Sequence, residues 1–252
     1  MKKNIEEIIT WIKKKKIKGC ITGSTLLEIF NDEEHVQDVD FFAYTEKSFT
    51  EMFYAMYHDK MFQILDPLEK WKADKFIQDP KQGYVGITTI KFMYNTFIPV
   101  NIIYKAKCDS AFAVLASFDM DIVCKAYDTF LERELDLTGD STKTKIASWN
   151  RWNNSFYSNE LWQISRILRQ LTRIIKYYKR GYNTDNVVLK YIELIDEVQK
   201  FQNIFNSDNF SEKLKIRKEN TKIVKKICEK WLETHEISDK QLELLTEKIR
   251  EV

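Results

Sequence analysis

ITGSTLLEIFNDEEHVQDVDFF, residues 21–42, closes an apolar run with Gly23-Ser24 and, about one helix later, alternates Asp38 and Asp40 with Val39 and Phe41. Glycine tolerates a tight turn and lets an anion approach the backbone. Ser24 adds a hydroxyl beside the free N–H groups of a helix start, where a phosphate fits. On a strand, residues two apart project to one side, so Asp38 and Asp40 share a face and repel unless a cation stands between them. Mg²⁺ suits that position, because it takes one or two carboxylates and fills its octahedron with water and substrate phosphates. Joined, these parts describe a nucleoside-triphosphate site: a Gly-Ser turn for the phosphate tail and an aspartate pair for the bridging metal. Either motif alone is a weak signal and more often an ordinary helix cap or a solvated strand end; their order, spacing and apolar flanks favour the site.

Outward from this stretch, GCIT and DVDFFAY read as strands and STLLEIF as the helix between them. Upstream, Ile5, Ile8, Ile9 and Ile12 recur at helical spacing over residues 4–16, with a lysine run at the end that complements the helix dipole. Downstream, 47–58 reads as a helix and FQIL as a strand, while 66–83 is a Trp- and Lys-containing excursion with no assigned element. VGITTIKFMYN and IPVNIIYKA pair as antiparallel strands. A short helix follows over 109–117, and SFDMDIVCKAYD reads as a further strand with Asp119 and Asp121 on one face. From about residue 144 no alternating pattern continues; helical spacing marks 158–180, 186–205, 211–234 and 239–251, the last with Ser238 and Gln241 as a capping box. The expected class is α+β: a mixed sheet with flanking helices over 1–143, followed by an all-helical module over 144–252.

Composition narrows the class. With 44% hydrophobic and 31% charged residues, and only 6 Gly and 3 Pro among 252 residues, the chain reads as globular and helix-rich. The 40 Lys and Arg nearly balance 38 Asp and Glu, giving a net charge of +2, so any nucleic-acid site must come from local clustering. Cys20, Cys108, Cys124 and Cys228 lack CxxC spacing and read as reduced, buried thiols, with no disulfide-linked partner and no zinc site. The opening MKKNIEEIITWIKKKK has acidic residues and no continuous apolar stretch, so neither a signal peptide nor a membrane span is expected there, and the reading is an intracellular, cytoplasmic protein without membrane contact. His35, His58 and His235 show no ligand spacing; His35 reads as an exposed loop residue.

The Gly23-Ser24 turn followed by Asp38-x-Asp40 on the next strand resembles the DNA polymerase beta-type nucleotidyltransferase superfamily, over roughly residues 18–135. The resemblance implies that Gly23 and Ser24 contact the triphosphate of an NTP such as ATP and that Asp38 and Asp40 bind catalytic Mg²⁺ or Mn²⁺. Many members carry a third carboxylate on a later strand; here IPVNIIYK places Asn101 at that position. Asparagine ligates through oxygen but brings no charge and cannot act as a base. Asp119 and Asp121 are the alternative source of a further carboxylate. The order SFDMDIVCKAYD, LERELDLTGD and NELWQISRILRQLTRIIKYYKRGY is loosely similar to class II CCA-adding enzymes and bacterial poly(A) polymerases. In that comparison Asp119 takes the place of a nucleotide-contacting aspartate, Phe118 replaces the arginine before it, and Asn159, Glu160 and Gln163 fall near a base-reading helix.

On that helix Arg166, Arg169, Arg173, Lys176 and Arg180 recur every three or four residues as one positive stripe uninterrupted by acid, which reads as a phosphate-facing surface shared by nucleotide and acceptor. Trp149, Arg151, Trp152 and Phe156 precede it, as stacking residues or as core. The lysines and arginines between 213 and 226 are interleaved with Glu219 and spread around their helix, which favours plain solvation. The combined expectation is a nucleotidyltransferase acting on an acceptor hydroxyl, preferentially an RNA 3′ end. The alternative is a binding protein on the same fold that has lost turnover with the third carboxylate.

Overall fold

The computed structural model describes residues 2–26, 38–78, 87–95, 97–153, 160–204 and 212–238. The predicted opening helix is α1, Lys2–Lys15. Gly19–Thr22 forms β1 and Val39–Ala43 forms β2, with residues 24–26 helical between them. Then follow α2 (Glu46–Tyr57), β3 (Phe62–Gln63), α3 (Pro67–Gln78), β4 (Ile87–Tyr94), β5 (Ile98–Lys105) and α4 (Ala111–Ala116). A 3-10 turn over Asp121–Val123, β6 (Lys125–Asp128), β7 (Arg133–Asp136) and α5 (Ser141–Thr144) complete this part. The helices α6 (Glu160–Lys179), α7 (Asp185–Ile204) and α8 (Glu212–Thr234) follow. The class is α+β, as the pattern predicts. The chain divides into two compact units, Met1–Thr142 and Lys143–Val252.

In the first unit the strands form one mixed sheet of order β3-β4-β5-β2-β1-β6-β7. Only β2 and β5 run parallel; every other pairing is antiparallel. Alternation along the strands assigns its two faces. Val39, Phe41 and Ala43 of β2, Ile90 and Phe92 of β4, and Val100 and Ile102 of β5 face a core shared with Ile5, Ile8 and Ile12 of α1 and Phe49, Met52 and Phe53 of α2. Gly19 permits this packing, since a Cβ there would stand 2.3 Å from the Phe41 ring and 2.5 Å from the Phe42 carbonyl oxygen. On the other face Cys20, Phe42, Ile103 and Ala126 pack with Ala111, Val114 and Leu115 of α4. Strand positions beyond this second cluster are polar, and they carry the candidate site.

Three stretches depart from the sequence expectations or had no element assigned. The 66–83 excursion contains helix α3, started by Asp66, whose Oδ1 accepts from Leu68 N at 2.9 Å, with Pro67 at the first helical position. LERELD yields β7, an edge strand whose exposed charged side chains conceal any alternation. SFDMDIVCKAYD is not one strand: Asp119 lies in a bend, Asp121 opens the 3-10 turn, and β6 begins only at Lys125. Met120, Ile122, Val123 and Cys124 are all buried, and a run buried on every side suits a turn wedged into the core better than a two-faced strand.

In the second unit α8 packs on α7 and α6. Leu171, Ile174, Tyr191, Ile195, Val224 and Trp231 are among its buried side chains. The expected helix over 239–251 and its capping box lie outside the described residues, as do His35 and Phe156. All four cysteines are free and buried. Burial pushes the Cys228 thiol up to about 12 and raises that of Cys20 as well. Among the described residues no helix is long and apolar enough to cross a membrane.

Candidate active site

Asp38 precedes β2 and Asp40 lies within it, and both are half-buried on the polar part of the sheet. Parallel pairing sets Asp40 opposite Asn101 of β5. The Asn101 Nδ2 donates to both carboxylates, to Asp40 Oδ1 at 2.8 Å and to Asp38 Oδ2 at 3.1 Å. Two like charges are thus drawn to one point, bridged by a neutral amide that relieves part of their repulsion. The neighbour on the other side is β1, where Thr22 pairs with Asp40 and Gly23 follows. Gly23 has φ +89°, a conformation that favours glycine, and a Cβ added there would stand 3.2 Å from Asp40 Oδ2. The turn therefore lies against the aspartate pair.

Two threonines that sequence reasoning missed fix this arrangement. The Thr25 hydroxyl donates to the Asp38 backbone oxygen at 2.6 Å, tying the helical turn to the residue that opens the aspartate pair. The Thr22 hydroxyl donates to the Lys125 carbonyl at 2.6 Å and locks β1 to β6. Ser24 is 6% exposed at the first helical position, so its neighbours' backbone groups as well as its hydroxyl define the turn. The only advance signal of Thr25 was its place one residue after the Gly-Ser pair, where short hydroxyl side chains bond to nearby backbone.

The donor set consists of hard oxygens: two carboxylates converging on one atom, with an amide that offers its own oxygen when flipped. That chemistry fits Mg²⁺ or Mn²⁺ completed by phosphate and water. Among the described residues no group of three or more His, Cys, Asp or Glu side chains converges to hold a metal. Asp119 and Asp121 are not placed as the strand pair that the sequence suggests. Asp119 is 1% exposed, with its Oδ1 accepting from Met120 N at 3.1 Å, and the two share no strand face.

The far end of the same sheet face is closed by packing. Tyr44 donates its hydroxyl to Asp128 Oδ2 at 2.8 Å, and Asp128 Oδ1 accepts from the backbone N–H groups of Phe130 and Leu131. Burial raises the Tyr44 hydroxyl out of its ordinary range, which keeps it a donor.

In the second unit, the backbone of the predicted arginine stripe is helical from residue 160 to 179, while the side chains of Arg166 and Arg169 lie outside the described ones. Arg173, Lys176 and Arg180 are half-buried; Arg173 Nη1 donates to Gln170 Oε1 at 2.7 Å, and the Arg180 guanidinium lies 5.7 Å from the Tyr177 ring centre. Half-buried Trp149 meets Tyr191 edge-on at 5.6 Å, whereas Arg151 lies over the exposed Trp152 at 4.9 Å. Lys225 of the second basic region pairs with Asp196 of α7.

No family model matches the chain, and no curated protein matches it. Among solved structures it is similar to a tRNA-processing enzyme in apo form I, at 13% identity, over 98% of this chain and 74% of that one, with a TM-score of 0.44. It is also similar to a tRNA-processing enzyme in its complex 3, at 12% identity over 95% and 73% of the two chains, with a TM-score of 0.39.

Proposed function

We propose that the protein is a Mg²⁺- or Mn²⁺-dependent nucleotidyltransferase that moves a nucleoside monophosphate from an NTP to an acceptor hydroxyl, preferentially an RNA 3′ end. The observation that carries this reading is the convergence of Asp38 and Asp40 on one atom, Asn101 Nδ2, with the Gly23 turn against them. In the reaction the acceptor oxygen bonds to the α-phosphorus. The bond from that phosphorus to the bridging oxygen breaks, pyrophosphate leaves with the electron pair, and the hydroxyl proton passes to water. Bound divalent metal supplies positive charge against the triphosphate. Asp38 and Asp40 hold it, Asn101 orients the pair, and Gly23 with Ser24 seats the phosphate tail. Most of the rate then comes from positioning and fixed charge.

A second reading, a nucleotide- or RNA-binding protein without turnover, draws on the same Asn101, which brings no charge where many relatives of this fold class carry a carboxylate. Incubation with α-labelled NTPs, Mg²⁺ and bulk RNA separates the two. Incorporation that Asp38→Ala and Asp40→Ala abolish supports the enzyme. NTP or RNA binding with no incorporation by the parent protein supports the second reading and refutes the first.

A further inference from the structure

Strand register places a fourth polar residue in line with the site. Lys91 of β4 pairs with Asn101, Asn101 with Asp40, and Asp40 with Thr22, so these residues form one row across β4, β5, β2 and β1. Directly paired residues share a sheet face. Burial agrees: Ile90 and Phe92 on either side of Lys91 are buried in the core, whereas Lys91 itself is exposed. Adjacent strands lie about 4.8 Å apart, so Lys91 stands roughly 10 Å from Asp40, on the side away from Gly23. Its backbone is held there. Glu69 of α3 accepts from Lys91 N at 2.9 Å, capping a strand edge that β3 leaves unpaired, since β3 meets β4 only at Met93 and Tyr94. Among the described residues of this unit, ion pairs engage Lys16, Lys47, Lys72 and Lys125 rather than Lys91.

In-line displacement then assigns a side to this cation. With the triphosphate tail over the Gly23 turn and the reacting phosphorus over the aspartates, the acceptor oxygen must approach from the opposite direction, over Asn101 and Lys91. We propose that Lys91 is an acceptor-binding residue that contacts a phosphodiester next to the terminal hydroxyl, which makes the acceptor a nucleic-acid strand rather than a neutral small molecule or a protein side chain. This inference rests on the nucleotidyltransferase reading above.

The test compares the full-length parent, Lys91→Met, Lys91→Arg and Asp40→Asn in two binding titrations. One uses a short 5′-fluorescein oligoadenylate with a free 3′ hydroxyl, the other inorganic tripolyphosphate with Mg²⁺. Lys91→Met is expected to weaken oligoadenylate about tenfold and to lower its salt slope by about 0.7, the loss of one single-strand phosphate contact. Lys91→Arg should retain most of the affinity, and tripolyphosphate binding should not change in either. Oligoadenylate binding that is absent in the parent or unaffected by Lys91→Met, or a Lys91→Met effect on tripolyphosphate instead, overturns the inference alone, provided tripolyphosphate binding depends on Asp40. Tripolyphosphate binding that is absent in the parent, or indifferent to Asp40→Asn, overturns the underlying reading and the inference with it.

Discussion

Replacing Asn101 by Asp exchanges a bridging donor for a third negative charge, and the geometry sets the size of the effect. The Nδ2 lies 2.8 Å from Asp40 Oδ1 and 3.1 Å from Asp38 Oδ2. Asn101→Asp removes both hydrogen bonds to charged acceptors, each worth about 1.5–3 kcal/mol. It also adds two like-charge contacts that, relaxed to about 4 Å, cost about 4 kcal/mol each at an effective dielectric near 20. All three residues are half-buried, and proton uptake by one carboxyl relieves much of the repulsion. The net loss at neutral pH in EDTA is therefore roughly 2–4 kcal/mol, a drop of roughly 5–15 °C in Tm for a domain of this size. Acidification should narrow the gap, because protonation removes the added repulsion. Millimolar Mg²⁺ should narrow it too, since ligand at a hundred times its Kd returns about 2.7 kcal/mol. Differential scanning calorimetry with and without Mg²⁺ reads all of this. An Asn101→Asp protein as stable as the parent in EDTA, with no greater Mg²⁺ response, would refute the bridging role.

Other expectations follow from the same contacts. Gly23→Ala puts a Cβ 3.2 Å from Asp40 Oδ2 at φ +89°; it should cost about 1–2 kcal/mol in denaturant titrations and weaken Mg²⁺ binding by calorimetry. Gly19→Ala meets Phe41 at 2.3 Å and Phe42 O at 2.5 Å, so it should destabilise by about 3 kcal/mol or more through overpacking, with metal binding affected only through the fold. Thr25→Val loses the 2.6 Å bond to the Asp38 carbonyl; about 1 kcal/mol of stability should go, and Mg²⁺ affinity should fall while Gly23 is intact. The Cys228 thiol is raised from 9.0 to about 12 by burial. The folded state therefore binds that proton more tightly, and stability present below pH 9.0 should be lost as pH rises from there towards about 12. Cys228→Ala should flatten that alkaline slope in urea titrations, and an unchanged slope would count against burial as its cause.

Strong, two-sided patterns were legible in the sequence. The β4–β5 hairpin follows from alternation in ITTIKFMY and IPVNIIYK, and that register brings Lys91 opposite Asn101. Asp38, Asp40 and Gly23 stand out in the sequence because each spends a polar or small residue at the end of an apolar run. What escaped was set by tertiary context. Asp119 and Asp121 looked like one strand face because D-x-D alternates, yet Met120 and Ile122 are buried along with Asp119 and the stretch turns. Helix α3 was hidden because Leu68 and Trp71 are exposed on it, 51% and 50%, while Ala73 and Phe76, with half-buried Ile77, mark its core side. The sequence puts Asn101 on the second hairpin strand, but its donation to both aspartates depends on the parallel β2–β5 pairing, a long-range contact that local periodicity does not encode.

The most direct measurement is a crystal structure of the protein soaked with Mn²⁺ and a non-hydrolysable NTP, read by anomalous scattering. A manganese peak held by carboxylate oxygens of Asp38 and Asp40, with triphosphate oxygens in its shell and the tail against Gly23, is the predicted result. Nucleotide bound elsewhere, or a peak that leaves both aspartates bonded only to Asn101, would contradict the account.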